Sequence, residues 1–394
     1  MKSMHVTRAK VVLTSLALAA AVAACGGGGG DSAEGDADGP YKWGINAELS
    51  GPVSFYGESL QAGVKAYVDQ ANADGGVDGH EIEVTALDNA GDSSRSATNA
   101  TQLATSDQVN AMFGFVLSAN CSAATPVVER YKVPLACLSV AEPNDYVYNL
   151  GPNSTRMAGA LLGASKEVSG KENPKAALVH LNTLTVLALA DAVKEKAGDA
   201  GVDLVTSQEL DLAATDVSPQ VAKVVAAKPD VVIVSNFGPG FLAVLKAVRA
   251  AGLDVPVVWA DGTGNLTSLE ESTDENVYAM SAYELVDPDN ATGAAADYIE
   301  AISPTLDEVN AVTLNAGYTA MGYITANAYG QGLAKCGYPC SGEDLGKVLD
   351  TEEFDLEGLV SGFSYEDGHY PYPDWYLYKV VGPSYEKVGT YEAD

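Results

Sequence analysis

Basic residues are scarce in this chain. Its 394 residues carry 22 Lys and Arg against 53 Asp and Glu, for a formal charge of −31. So acidic a body repels phosphate backbones and anionic headgroups, which excludes nucleic acid and peripheral binding to anionic lipid. Histidine is rarer still: only His5, His80, His180 and His369 occur. None stands at ligand spacing from a cysteine, and the carboxylates are scattered, so no metal-binding pattern is present. Also missing are G-x-S-x-G, a P-loop, and G-x-G-x-x-G with its downstream acid. Gly91-Asp92-Ser93 opens like some esterase motifs, but no Asp-x-x-His partner follows, and Asp and Ser before a helix are natural caps. Catalysis needs a base beside a nucleophile. The reading is of a non-enzyme that needs no cofactor.

No run of 18 apolar residues occurs, so no segment reads as a membrane span. The first residues read instead as a leader. Lys2, Arg8 and Lys10 make a basic start, and Val11–Ala24 is an apolar stretch of signal-peptide length. It ends Val22-Ala23-Ala24-Cys25, which looks like a bacterial lipobox. Residues 1–24 are then a removed signal peptide, and Cys25 carries the lipid. The Gly- and Asp-rich residues 25–40 buries almost nothing and reads as a flexible tether. Two or more acyl chains, at about 0.8 kcal/mol per buried methylene, anchor such a protein stably on the membrane's outer face.

Four other cysteines remain: Cys121, Cys137, Cys336 and Cys340. An exported location permits disulfides, and an even count suits them. Three pairings are possible, of which 121–137 and 336–340 are the simplest.

From residue 41 onward, strand-like and helix-like segments alternate, which favours an α/β class. Ala176–His180 and Val231–Ser235 are short continuous apolar runs, as expected for strands buried on both faces. A helix over 58–73 carries Leu60, Val64, Tyr67, Val68 and Ala71 near the 3.6 period and stops at Gly75-Gly76. Another is expected over 311–334. Trp375–Val381 and Tyr385–Tyr391 read as a terminal hairpin. The length suits two domains.

One stretch is more informative than the rest: INAELSGPVSFYGESLQAGVKAYVDQANADGGVDG, residues 45–79. A strand feeds a helix through a Ser-Gly-Pro turn and a loop bearing Tyr56. Such a unit builds a pocket at the strand's carboxyl end, where backbone N–H groups favour an anion. SGPVSFYG, then QANADGGVDG, then the strand EIEVTALD, resembles the branched-chain amino-acid-binding family of type I periplasmic binding proteins. These are receptors of ABC importers, and the resemblance runs with gaps to about residue 390.

The resemblance implies two doubly wound α/β lobes around a hinged cleft, in a protein that is usually monomeric. It places the crossings near 152–155, 283–286 and 364–371. Lobe one is then 41–153 with 286–365, and lobe two 154–284 with 370–394. It also implies a set of ligand residues. Ser118, in GFVLSANCS, matches the carboxylate-binding serine, and Ser122 competes for that role because the loop is longer here. Either serine also suits a helix N-cap. Ser139 and Ala141, in CLSVAEP, fall on the next strand-to-helix turn; the family often has threonine at the latter, which leaves Ser139 the better donor. Asp261, in WADGTGN, stands where the family puts an acid for the ammonium group, although an aspartate before glycine also suits a turn. Tyr56 matches a cleft aromatic. Phe237 and Thr185 fall where tyrosine is common, and Trp259 and Tyr283 are candidates for an apolar wall, though aromatics at strand ends often serve the core. The function implied is capture of a small amino acid, branched-chain or similar aliphatic, for an ABC permease. The alternatives are an amide, urea or aromatic acid in the same cleft, or a ligand-sensing partner of a membrane signalling protein.

Overall fold

The computed structural model describes residues 39–138, 144–151, 154–260, 274–366, 368–382 and 384–392. Cys25, Ser139, Ala141 and Asp261 lie outside them.

The first sheet is built from β1 (Tyr41–Ala47), β2 (Ile82–Asp88), β3 (Ala111–Gly114), β4 (Leu135–Cys137) and β5 (Val147–Asn149). Its order is β2-β1-β3-β4-β5, and every pairing is parallel. Helices α1 (Ser54–Ala73), α2 (Ser93–Gln102) and α3 (Ser118–Tyr131) connect its strands. Trp43, Ile45 and Phe113 are fully buried between these layers, with the Trp43 and Phe113 rings 5.0 Å apart.

The chain then passes to a second sheet through α4 (Ser154–Ser169). Strands β6 (Lys175–Leu181), β7 (Asp203–Leu210), β8 (Val231–Ser235), β9 (Val257–Trp259) and β10 (Val277–Ser281) run parallel, linked by α5 (Leu184–Lys196), α6 (Ser218–Ala227) and α7 (Gly238–Ala250). Every residue of β8 is buried, which is why its sequence is one unbroken apolar run closed by a serine.

The chain returns to the first sheet with α8 (Ala294–Ile302), α9 (Ala311–Leu314), α10 (Thr319–Cys336), α11 (Gly342–Leu349) and a small antiparallel pair, β11 (Glu353–Leu356) and β12 (Val360–Ser364). It ends on the second sheet with the hairpin β13 (Asp374–Val381) and β14 (Ser384–Glu392), giving the order β14-β13-β10-β9-β8-β6-β7. The molecule is thus two α/β lobes.

The single helix expected over 311–334 is broken. Asn315 is fully buried between α9 and α10, and its side chain accepts from Val286 N–H at 2.9 Å and donates to the carbonyls of Val286 and Ala311. An amide with that many partners outweighs one turn of helix. Gly317, at φ +62°, completes the break.

Helix α10 packs against α1 at very short range. A Cβ at Gly63 would lie 1.9 Å from the Thr319 carbonyl oxygen, and one at Gly322 would lie 2.4 Å from that of Leu60. Both disulfides join the sequence-near pairs, Cys121 to Cys137 and Cys336 to Cys340. Asp92 caps α2 by accepting from Arg95 N–H at 2.8 Å, so the Gly91-Asp92-Ser93 sequence serves a helix start.

Asp88, at the end of β2, holds the turn that leads to α1. Its carboxylate accepts from Leu49 N–H, Ala90 N–H and Ser50 Oγ. Burial raises its pKa, but the hydrogen bonds from Ser50, Ala90 and Leu49, with the Arg95 charge, more than offset this and hold it below the ordinary 3.8.

Two outcomes are expected. Gly63→Ala destabilises the protein by about 1–3 kcal/mol in urea denaturation, because the α1–α10 interface has no room for a methyl group. The stabilisation from Asp88 is complete above its unfolded pKa and is lost as pH falls through the lowered folded value. The Tm gap between wild type and Asp88→Asn should therefore close in acid titration below pH 3.8.

Candidate functional site

The carboxyl ends of the parallel strands of the two sheets border a cleft of about 290 Å³. From lobe one come Val116–Ala119, beyond β3, and Leu138, beyond β4, with Tyr318 and Met321 at the start of α10. From lobe two come Thr183–Val186, beyond β6, with Leu189, Ser235 at the end of β8 and Phe237 beyond it. Met157 of α4 also lines the cleft. The wall is apolar, and its side-chain polar groups are hydroxyls: Ser118, Thr183, Thr185, Ser235 and Tyr318. No charged side chain lines it among the described residues. This is the usual make-up of a small-solute site, an apolar body with a few convergent polar groups.

Ser118 is the buried first residue of α3. The first N–H groups of a helix have no intrahelical partner, so those of Ser118 and Ala119 are free of helical bonding beside the cleft. Thr185 Oγ1 is buried with no hydrogen-bond partner and belongs to the cleft lining. An orphan hydroxyl in that position calls for a ligand group.

Tyr56 and Phe237 make a contact between the lobes beside the cleft. Their rings lie 4.8 Å apart, Tyr318 packs on Tyr56 at 5.2 Å, and Gly238 N–H donates to the Tyr56 hydroxyl at 3.3 Å. Beyond this contact is a second, more open cavity of about 640 Å³, bordered by Phe55 and Leu212.

Three expected residues fall elsewhere. Ser122 is exposed on α3, one turn further from the helix end than Ser118, and is not part of the cleft lining. Trp259 is fully buried in lobe two, its ring stacked on Phe241 at 3.9 Å and its Nε1–H donating to the Asn236 carbonyl at 2.9 Å. Tyr283 is fully buried where the chain leaves β10, with its backbone held by Ser281 Oγ. Both aromatics are core residues.

One residue was missed by sequence reasoning. Glu48, just beyond β1, is fully buried. Its Oε2 accepts from Val116 N–H at 2.8 Å, and its Oε1 accepts from Leu117 N–H at 3.3 Å and Asn120 Nδ2 at 2.7 Å. The preceding Phe115 has φ +62°, a left-handed backbone that costs a bulky residue free energy. Glu48 therefore clamps the turn that presents Ser118 to the cleft. The Cys121–Cys137 disulfide ties α3 to the end of β4, next to Leu138, and braces the same wall.

The model of one known family, the periplasmic binding proteins, matches residues 40–384. The chain belongs to that family. Among curated members it is similar to the leucine-, isoleucine-, valine-, threonine- and alanine-binding protein of Pseudomonas aeruginosa, 24% identical over 82% of this chain and 85% of the relative. A Leu/Ile/Val/Thr-binding protein of Salmonella typhimurium is 22% identical over 82% of this chain and 89% of its own. Solved structures share the fold. The branched-chain amino acid transporter substrate binding protein of Streptococcus pneumoniae, in complex with isoleucine, has a TM-score of 0.74 at 21% identity and covers 89% of this chain and 99% of its own. A solute binding protein from R. palustris, in complex with 4-hydroxybenzoate, has a TM-score of 0.75 at 18% identity and covers 90% of this chain and 97% of its own. The two-lobed type I fold of the periplasmic binding proteins is thereby established for this chain, as is a general role as a solute-binding protein rather than an enzyme. No described helix is long and apolar enough to cross a membrane.

Thr185→Val separates a ligand role from a folding role. Removing an unpaired buried hydroxyl leaves the Tm of the ligand-free protein unchanged or raises it, while affinity for solute in calorimetry falls about tenfold. A Tm lowered by several degrees would assign the hydroxyl to the fold.

Proposed function

We propose that this periplasmic binding protein captures a small amino acid, branched-chain or similar aliphatic, and delivers it to the permease of an ABC importer. The observation that carries the reading is the interlobe cleft itself: an apolar wall drawn from both lobes, hydroxyls and helix N–H groups at Ser118, and no charged side chain in its described lining. The amino-acid-binding relatives support the same choice.

In this reading the lobes are 41–153 with 286–365 and 154–284 with 370–394, hinged near 152–155, 283–286 and 364–371. Ser118 and Ser139 hold the carboxylate from lobe one. Asp261, the residue after Ala260 at the end of the β9 segment, meets the ammonium from lobe two, since an unpaired buried charge is very costly. Ala141 contributes backbone, and Phe237, Thr185 and Tyr56 complete the cleft. A ligand touching both lobes favours closure by its differential affinity for the closed state. The monomer is held on the membrane's outer face by lipid at Cys25, within reach of the permease.

An aromatic carboxylate is the second reading, favoured by the Tyr56, Phe237 and Tyr318 cluster and by the 4-hydroxybenzoate-bound structure of the same fold.

A thermal-shift screen against amino acids, amides, urea, sugars and aromatic acids decides between them. A hundredfold excess over Kd adds about 2.7 kcal/mol to folding stability. Leucine, isoleucine or valine is expected to raise the Tm, and Asp261→Asn to abolish that shift without loss of fold. A shift only with solutes lacking an amino group would overturn the amino-acid reading.

A further inference from the structure

Glu48 does more than hold a turn. Its three hydrogen-bond partners are all donors, and no described Lys, Arg or His pairs with it. The Asn120 side chain is oriented by Ser93, whose Oγ donates to Asn120 Oδ1 at 2.9 Å, so its amide N–H faces Glu48. The carboxylate is thus solvated by dipoles alone, at zero exposure. Val116 and Leu117, which it binds, line the cleft immediately before Ser118.

The amino end of α3 carries a partial positive charge, about +0.5 of an elementary charge, which by itself invites an anion. Glu48 sets a full negative charge against that end and takes the two N–H groups that approach it. Buried charges are poorly screened by salt. No basic side chain offers a counterweight in the described lining of the cleft.

We propose that Glu48 selects the solute by charge: it makes the cleft favour a zwitterionic or neutral molecule over a monoanion with the same skeleton. The proposal rests on the cleft being the solute site and sharpens that reading, because it separates amino acids from simple carboxylic acids. If Glu48 served only to shape the Phe115–Ser118 turn, its loss would weaken all solutes alike.

The test compares L-leucine, 4-methylpentanamide and 4-methylpentanoate by calorimetry on the wild type and on E48Q. The expected result is that the wild type binds leucine or the amide in preference to the anion, and that E48Q raises the affinity for the anion relative to leucine about tenfold. An unchanged ratio, or equal loss for all three, overturns the proposal. A ligand-free measurement keeps the two readings separable. Ala119→Cys places a thiol on the exposed edge of the cleft, and its pKa is read from the pH dependence of alkylation. Adding E48Q should lower that pKa by about one unit. If none of the three solutes binds the wild type, the amino-acid reading fails and this titration alone decides the role of Glu48; an unmoved pKa overturns it.

Discussion

A parallel sheet delivers all its chain reversals of one kind to a single edge, and the cleft of this protein is a consequence of that constraint. The lining residues Val116–Ala119, Leu138, Thr183–Val186, Ser235 and Phe237 each sit at or just beyond the carboxyl end of a parallel strand. With two such sheets face to face, turns far apart in sequence become neighbours in space, which is where open α/β sheets bind ligands. The core beneath is ordinary apolar packing. What is particular to the chain is how the turns are held: Glu48 and the Cys121–Cys137 bridge on one lobe, and on the other the indole of Trp259, bonded to the carbonyl of Asn236 next to Phe237.

Beside the cleft the lobes meet through the Tyr56–Phe237 rings and one long hydrogen bond from Gly238, while away from it Tyr385 bonds Asn315, Val286 and Ala311 and Tyr372 bonds the Leu150 carbonyl. The cleft-side contact is small enough to open and close about the chain crossings, an equilibrium that a bound solute can shift. The solute must supply the difference in free energy by touching both lobes at once, and the orphan hydroxyl of Thr185 opposite Ser118 provides partners on both sides.

Much of the fold was legible because buried parallel strands and an amphipathic helix leave strong periodic signatures; β8 and α1 are clear examples. The break between α9 and α10 was not, because a single asparagine in an otherwise helical pattern reveals nothing of its distant partners at Val286. The cleft was half legible. Ser118, Thr185 and Phe237, expected from the order of motifs along the chain, border the cleft, and Tyr56 packs on Phe237 at its side. Trp259 and Tyr283 are buried away from the cleft lining, a placement the sequence left open because an aromatic at a strand end looks the same whether it faces core or ligand. Ser118, and not Ser122, borders the cleft, since four residues keep a side chain near the same face but carry it one turn away from the helix end. Glu48 was invisible, because one acid after a strand reads as surface until its donors are seen.

Backbone hydrogen exchange with and without saturating L-leucine tests the central claim, that one solute site is shared by the two lobes. The account predicts added protection at Ser118–Ala119 and at Thr185–Val186 together. Protection confined to a single lobe, or appearing only outside these turns, would contradict it.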